Sequence, residues 1–513
     1  MIIENGVIRT MDPSLPTVRA LAIAADRIVG GVGTHEWALP TPDVVDLRGR
    51  CAIPGLVDAH VHFPTWALAR QQLRLEGCGS LAELLELVRE AAAAAPRGRW
   101  LIGRGWRSGD WPDGTDPSRY DLDAVAGDLP VALWARDEHS LVLSSAGLAR
   151  GSGDLTVSGG VVETGPDGEP TGVLREEAAW RFRERFIAAG EDEYVEAVRA
   201  GIRVAHARGV TGVHDKDGRI GSVGIWERVR ALAGPMVRVR QSLPLEQLRE
   251  LESLRLRSGI GDDVFRIGYL KTFMDGTLGS QTAWMLDGSG VAITSCEQLA
   301  DAIHRAARAG WPLAVHAIGD AANRAALDAF ASTRDDWHPR GLRPRIEHAQ
   351  LVDPADLPRF AALGVAASVQ FSHAPSDREL ADRLWGDRLA GAYAYRSLVD
   401  SGAVVANGSD APIEELDPLA GLRAGVLRTL DERPPWQPAQ ALPVEQALAA
   451  ATVAPAWLSH DEKRLGRLVP GFLADLVVLD RDPIACGRDG LEELSVVATM
   501  VGGRWVHNPP PWD

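Results

Sequence analysis

PGLVDAHVH, residues 54–62, is the stretch of this sequence that decides the fold. It is an apolar, β-branched run that ends in two histidines, His60 and His62, with one residue between them. Alternate side chains of a strand lie on the same face, so both imidazoles point to one side at the end of the run. Two imidazoles at this spacing can bind one metal ion. We therefore predict that residues 52–62 form a strand that ends in a metal site.

Seven more apolar, β-branched runs follow this stretch, and amphipathic segments rich in Ala, Leu, Arg and Glu separate them. Such an alternation is typical of parallel strands connected by helices. Eight strands are the number that closes a (β/α)8 barrel, so we predict an α/β protein with a TIM-like barrel. The predicted strands are residues 52–62, 209–215, 235–243, 265–273, 312–319, 343–351, 364–370 and 403–410.

The connection after the first strand is longer than one helix requires. Between His62 and Gly209 the chain contains strand-like, aromatic runs of its own, and loops at the C-terminal face of a barrel tolerate such additions. We therefore predict an insertion over residues of about 75–200, built on the first βα loop and covering the active site.

Both ends of the chain consist of short β-rich runs that are separated by turn residues. We predict that residues 1–54 and 456–513 pair with each other in one small β-sandwich. The barrel domain then covers residues 55–455.

Composition limits the partners of the protein. The chain has 513 residues and a net charge of -16, from 54 basic and 70 acidic side chains, and such a surface repels a phosphate backbone or an anionic bilayer. Its four cysteines show no CxxC spacing, and its N-terminus lacks a basic segment followed by an apolar one. We expect a cytoplasmic protein that has neither nucleic acid nor a membrane as a partner.

Polar residues recur at the C-terminal ends of the predicted strands, where barrel enzymes carry their catalytic groups. Imidazoles and a carboxylate are ligands that suit Zn²⁺, and a barrel mouth leaves coordination positions open for water. Because a His-x-His pair also occurs by chance, the prediction of a metal site depends on all the polar residues that end the predicted strands. The set is His60 and His62 on the first strand, Lys271 on the fourth, His316 on the fifth, His348 on the sixth and Asp410 on the eighth.

The order of five motifs resembles that of the amidohydrolase superfamily, and in particular its YtcJ-like branch, which includes N-substituted formamide deformylases. The likeness covers nearly the whole chain. The motifs are PGLVDAHVH (54–62), LKTFMDG (270–276), VHAIGD (315–320), IEHAQ (346–350) and GSDAP (408–412).

This resemblance implies a role for each residue of the set. His60 and His62 would bind a first metal ion, and His316 and His348 a second, with zinc the expected metal and one or two ions bound. Lys271 would bridge the ions as an N6-carboxylated lysine, since a protonated ammonium has no lone pair for a cation. The alternative is an unmodified Lys271 that binds a substrate carboxylate or neutralises Asp410.

The resemblance also implies a reaction and a small-molecule substrate. A metal-activated hydroxide would attack a non-peptide, amide-like C–N bond, such as that of an N-formyl, N-acyl or cyclic amide. Asp410 would touch the metal, take the proton of the water and return it to the leaving nitrogen. Acidic barrels of this family are often dimers, so a homodimer is implied as well.

Further residues are candidates for substrate binding. A tryptophan in the insertion can wall an apolar pocket, and the run DEHS (137–140) stands where the family tends to show Asp-Gly-His. Two candidates follow Lys271 in a glycine-containing stretch, and two follow the seventh strand. The candidates are Trp106, Asp137, His139, Asp275, Gln281, Gln370 and His373.

Two other functions remain open. Related ring deaminases use the same histidines and aspartate, but those that resemble adenosine or cytosine deaminase carry a glutamate three residues after the fifth-strand histidine. Here that position is Gly319, and Asp320 could replace the glutamate only on a changed backbone path. A barrel that binds a ligand without catalysis is the other alternative, although no member of the metal set is missing.

Overall fold

The computed structural model describes residues 1–30, 43–96, 98–112, 114–151, 155–187 and 189–512. The chain begins with short strands that alternate between two sheets. Val7–Arg9 pairs in parallel with Cys51–Pro54, whereas Ile2–Glu4 pairs in parallel with Val44–Asp46. The strands of this part are β1 (Ile2–Glu4), β2 (Val7–Arg9), β3 (Thr17–Val18), β4 (Leu21–Ala24), β5 (Arg27–Ile28), β6 (Val44–Asp46) and β7 (Cys51–Pro54).

The predicted insertion is a separate layer with its own sheet. Within the ranges described, its strands form a mixed six-stranded sheet in the order β13-β14-β12-β11-β10-β9. They follow β8, which is the first strand of the barrel, and α1. Buried leucines and tryptophans such as Leu133 and Trp106 form a core of its own. The elements are β8 (Leu56–Val61), α1 (Phe63–Ala69), β9 (Leu73–Arg74), α2 (Leu81–Ala94), β10 (Leu101–Trp106), α3 (Arg119–Ala126), β11 (Val131–Ala135), β12 (Ser140–Leu143), α4 (Ser145–Arg150), β13 (Gly160–Thr164), β14 (Pro170–Glu176), α5 (Glu177–Phe182) and a π-helix (Arg183–Ile187).

The predicted barrel is confirmed. In the described part of the chain, β8 and seven later strands form one parallel sheet in chain order. The ends of the first and last strands meet, because Asp410 N donates to His60 O at 2.7 Å and His62 N donates to Ala411 O at 2.9 Å. The elements are α6 (Glu191–Ala207), β15 (Val210–Asp215), α7 (Ser222–Ala231), β16 (Arg238–Pro244), α8 (Leu248–Ser253), β17 (Phe265–Phe273), α9 (Cys296–Ala309), β18 (Leu313–Ala317), α10 (Asp320–Ser332), α11 (Arg334–Trp337), β19 (Arg345–His348), α12 (Leu357–Leu363), β20 (Ala366–Val369), α13 (His373–Trp385), α14 (Tyr395–Asp400), β21 (Val405–Asn407), α15 (Pro418–Leu427), α16 (Val444–Ala450) and α17 (Val453–Leu458).

The last residues of the predicted insertion lie in a helix that packs on the barrel. Residues 191–200, which we assigned to the insertion, lie in α6, an amphipathic helix that packs on α1 and leads directly to β15. The buried face of α6 includes Val195, Val198 and Ile202, which share a core with the barrel strand residue Val213. These residues therefore belong to the barrel.

The C-terminal strands return to the N-terminal ones. They extend the sheet of β7 in the order β24-β23-β22-β7-β2-β3. Ile3 and Ile23 of the other N-terminal sheet share a buried cluster with Ile8 and Val478 of this one. No helix in the described ranges is long and apolar enough to cross a membrane. The last elements are β22 (Leu476–Leu479), α18 (Gly487–Glu492), β23 (Val496–Val501) and β24 (Arg504–His507).

Candidate active site

The residues that the sequence placed at strand ends meet in one cavity at the C-terminal mouth of the barrel. The His60 and His348 ring centroids are 4.8 Å apart, and those of His316 and His348 are 4.4 Å apart. The insertion covers this mouth, because cavity walls come from both layers. The predicted metal residues that line the cavity are His60, His62, Lys271, His316, His348 and Asp410.

A carboxylate orients each histidine of the first strand. His60 Nδ1 donates to Glu347 Oε2 at 2.8 Å, and His62 Nδ1 donates to Asp217 Oδ1 at 2.9 Å. A carboxylate only accepts, so Nδ1 carries a proton, and in the neutral ring Nε2 keeps a free lone pair. These Nε2 atoms lie 3.2 and 3.6 Å from Asp410 Oδ1. Both histidines thus present Nε2 to the same carboxylate.

Neutral acceptors hold the histidines of the fifth and sixth barrel strands, His316 and His348. His316 Nε2 donates to the carbonyl of Gly276 at 3.0 Å, and His348 Nδ1 donates to Gln370 Oε1 at 3.0 Å. Burial holds the pKa of both imidazoles well below the usual value, so they are neutral. Each of these residues therefore also keeps one nitrogen lone pair free for a ligand bond.

Asp410 lies between the histidines. Its φ of 59° is in the left-handed region, which costs a non-glycine residue about 1–3 kcal/mol. The bond from its amide to His60 O stabilises this conformation and aims the carboxylate at the cavity.

Lys271 is buried, and its Nζ has no hydrogen-bond partner in the described structure. It lies 4.8 Å from the Phe273 ring, and burial lowers its pKa to about 8. An unpaired buried amine is costly unless it binds a further group. Together with imidazoles that keep a free lone pair and a carboxylate, it forms a donor set that fits a divalent metal.

Two clusters within the described residues have the dimensions of a metal site. Ligand atoms of His60, His62 and Asp410 lie within 4.8 Å of one another, and so do those of His348, His373 and Asp410. Asp410 belongs to both clusters, so its carboxylate lies where the two clusters meet.

Glu347 is a functional residue that sequence reasoning missed. Its Oε1 lies 3.0 Å from Lys216 Nζ and 2.8 Å from Arg345 Nε, while its Oε2 accepts from His60. Burial alone would raise its pKa, but Arg345 and His60 outweigh burial and lower it well below the usual range. Its place in IEHAQ, inside a buried strand, was the available signal, because buried charges are normally paired.

The candidate substrate residues divide into two groups. Trp106, Asp137, His139 and His373 line the cavity. The others do not line it in the described structure. Gln370 orients His348, and the Gln281 side chain is exposed.

Asp275, the remaining candidate, lies behind the cavity wall. Its carboxylate is fully buried and accepts from the amides of Ile318, Gly319 and Trp284. It therefore supports the loop after β17 rather than facing the cavity.

The insertion brings His139 beside the metal residues. Its ring centroid is 5.8 Å from that of His316, and its Nδ1 donates to Glu176 Oε2 at 2.5 Å. Glu176 Oε1 accepts from Thr282 Oγ1 at 2.6 Å, which ties this pair to the loop after β17. Thr277 Oγ1 donates to Asp137 across the same boundary. The insertion is thus fastened to the barrel beside the cavity.

A parallel barrel whose mouth holds acceptor-oriented histidines around one aspartate defines a metal-dependent hydrolase. The chain belongs to the amidohydrolase family, whose profile matches residues 43–507.

Relatives and solved structures agree with this assignment. Putative amidohydrolase YtcJ of Bacillus subtilis (strain 168) is 31% identical over 98% of this chain and 98% of its own length. N-substituted formamide deformylase of Arthrobacter pascens is 28% identical over 98% of this chain and 97% of its own. An uncharacterized metal-dependent hydrolase from Pyrococcus horikoshii OT3 is similar in structure, with a TM-score of 0.76 and 28% identity, covering 94% of this chain and 98% of that chain.

Proposed function

We propose that this protein hydrolyses a non-peptide, amide-like C–N bond with the help of divalent metal, preferably zinc. The observation that carries the proposal is that His60, His62, His316 and His348 each have one ring nitrogen held by an acceptor. The other nitrogen of each neutral ring is thereby left without a proton, and all four residues line the same cavity. We assign these residues, Asp410 and Lys271 as the metal site, and the formamide deformylase relative supports the amide class.

In this proposal the metal ion and the side chains have different roles in hydrolysis. A bound divalent ion would act as a Lewis acid that polarises the substrate carbonyl and lowers the pKa of a bound water. Asp410 takes a proton from the attacking water and returns it to the leaving nitrogen. Glu347 and Asp217 keep their histidines in the required tautomer, and Trp106 contributes to an apolar wall.

The close packing around Gly319 argues against ring deamination as the function. A Cβ on Gly319 would lie 2.0 Å from the carbonyl oxygen of Trp284, so a glutamate cannot occupy this position without moving backbone. Asp320 does not replace it, because its Oδ1 accepts from the amide of Leu286. The proton donor that these deaminases require therefore has no counterpart at this strand end.

A substrate screen tests the proposed function. Zinc-loaded protein would be incubated with N-formyl amines, N-acyl amino acids, cyclic amides and aminated heterocycles, and released amine, acid and ammonia would be measured. We expect turnover of a member of the amide groups. Ammonia release from heterocycles without amide hydrolysis would instead identify a deaminase, and no turnover with full metal loading would favour a ligand-binding barrel.

Metal removal should abolish this activity. Protein treated with a chelator and then freed of it should lose turnover and regain it on titration with Zn²⁺, because Asp410 alone cannot polarise the carbonyl. Addition of Mg²⁺ instead of Zn²⁺ is the control and should restore less turnover, since magnesium prefers oxygen ligands to this imidazole-rich site. Full turnover in metal-free protein, with the metal content checked by elemental analysis, would contradict the proposal.

Lys271 should determine how many ions bind. We propose that the Lys271 ammonium loses one proton and that the resulting amine adds to CO₂ to give a carbamate and a second proton, which would convert the side chain from a cation into an anion able to hold metal. Lys271→Ala should then lower zinc stoichiometry from two to one, measured by elemental analysis. The chain has three lysines, and the exposed Lys463 gives the control Lys463→Ala. Unchanged stoichiometry in Lys271→Ala would contradict the carbamate.

A further inference from the structure

Arg183 is an unpaired cation in the wall of the active-site cavity. It is the first residue of the π-helix Arg183–Ile187, which follows the insertion sheet. Its Nε is buried without a hydrogen-bond partner, and no ion pair joins it to a described residue. Single π-helical turns occur often at functional sites, because they turn a side chain away from the regular helical path.

The other arginines that line the cavity are paired, as far as the described chain extends. Each contacts at least one carboxylate, so the fixed charges around them are balanced. The pairs are Arg107 with Asp377, Arg136 with Glu414, Arg175 with Asp116 and Glu163, and Arg219 with Glu177. Arg183 is the exception in this set.

Acidic residues of the cavity wall form no ion pair with Arg183 in the described structure. Glu138, which also lines the cavity, is held by Arg104, and Asp217 is held by His62. The Arg183 guanidinium instead stacks over the Trp134 ring, with Cζ 5.5 Å from the centroid. A guanidinium stacked on an aromatic face is oriented while its N–H groups stay free to bind a planar anion.

From this geometry we infer that Arg183 binds a carboxylate of the substrate, which makes the substrate an N-acyl or N-formyl amino acid type of anion. The inference rests on the proposed amide hydrolysis and extends it to the substrate class. A carboxylate matches the planar guanidinium through two parallel hydrogen bonds. Trp180 and Phe273, which line the same cavity, offer an apolar surface for the rest of the substrate.

A matched pair of substrates tests this inference. N-formylphenylalanine and N-formylphenethylamine differ only in the carboxylate, and both would be assayed with zinc-loaded protein. We expect the wild type to prefer the acid in kcat/KM. Arg183→Gln should lower kcat/KM for the acid by about 10- to 100-fold, mainly through KM, because a charged hydrogen-bond pair is lost. The same variant should leave the neutral compound unchanged.

Arg181→Gln is the matched control, since Arg181 is exposed, lies two residues away and carries the same charge. It should leave both substrates unchanged, which separates direct contact from the general effect of net charge. An equal loss on both substrates in Arg183→Gln, or no loss on either, would overturn the inference.

Equilibrium binding separates failure of this inference from failure of the proposed function. If zinc-loaded wild type hydrolyses neither compound, the proposed reaction on these amides fails, and calorimetry of both compounds still tests Arg183. Tighter binding of the acid by about 10-fold or more, lost in Arg183→Gln and kept in Arg181→Gln, would support the carboxylate site. Equal binding of the two compounds would refute it.

Discussion

Asp410→Asn is expected to lower kcat by about 10²- to 10⁴-fold while the protein keeps its bound metal. Asparagine has nearly the same shape, and its amide oxygen can still contact an ion. It cannot take up a proton from water, because an amide is not a base near neutral pH. The measurement is kcat on the best amide found in the screen, together with zinc content.

A buried acid outside the cavity provides the control for this variant. Asp320 lies at the start of α10 and accepts from the amide of Leu286, which an asparagine oxygen can also do. Asp320→Asn should therefore retain kcat. Near-normal kcat in Asp410→Asn would show that another group moves the proton, and loss of zinc there would show that Asp410 acts mainly as a ligand.

The barrel and its metal residues were predictable because both follow from local patterns. Apolar, β-branched runs gave the eight strands, and all eight observed strands lie within the predicted runs or extend past them by one residue. Since parallel strands end at the same face, His60, His316 and His348 had to approach one another once the barrel was assumed. The observed distances between ring centroids are consistent with that expectation.

The partners of those residues were not predictable from local patterns. His60 and Glu347 are 287 positions apart, and His62 and Asp217 are 155 apart, so each contact depends on the closed barrel. His348 and Asp410 adopt a positive φ, which gives no signal in a non-glycine residue. The cavity wall from the insertion depends on how two layers dock, and Arg183 had no motif that could have identified it.

Glu347→Gln is expected to weaken zinc binding by about 10- to 100-fold, because the acceptor that orients a metal-binding histidine loses its charge. The same change leaves Lys216 and Arg345 as buried cations with a neutral partner. Removing one member of a buried ion cluster destabilises a protein by about 3–5 kcal/mol. Zinc affinity would be measured by competition with a chelator. Stability would be measured by unfolding of metal-free protein, so that lost binding does not contribute.

Glu462→Gln is the matched control for this change. Glu462 pairs with Arg343 at 2.7 Å, but the pair is partly exposed, and such a pair contributes only about 0–1 kcal/mol. If Glu347 orients His60, its variant must lose zinc affinity, and if Glu347 also balances Lys216 and Arg345, the variant must lose stability as well, whereas the Glu462 variant loses neither. Lower stability with unchanged zinc affinity would mean that Glu347 only balances Lys216 and Arg345. Lower affinity with unchanged stability would mean that the cations find other partners, which would leave orientation of His60 as the function of this carboxylate.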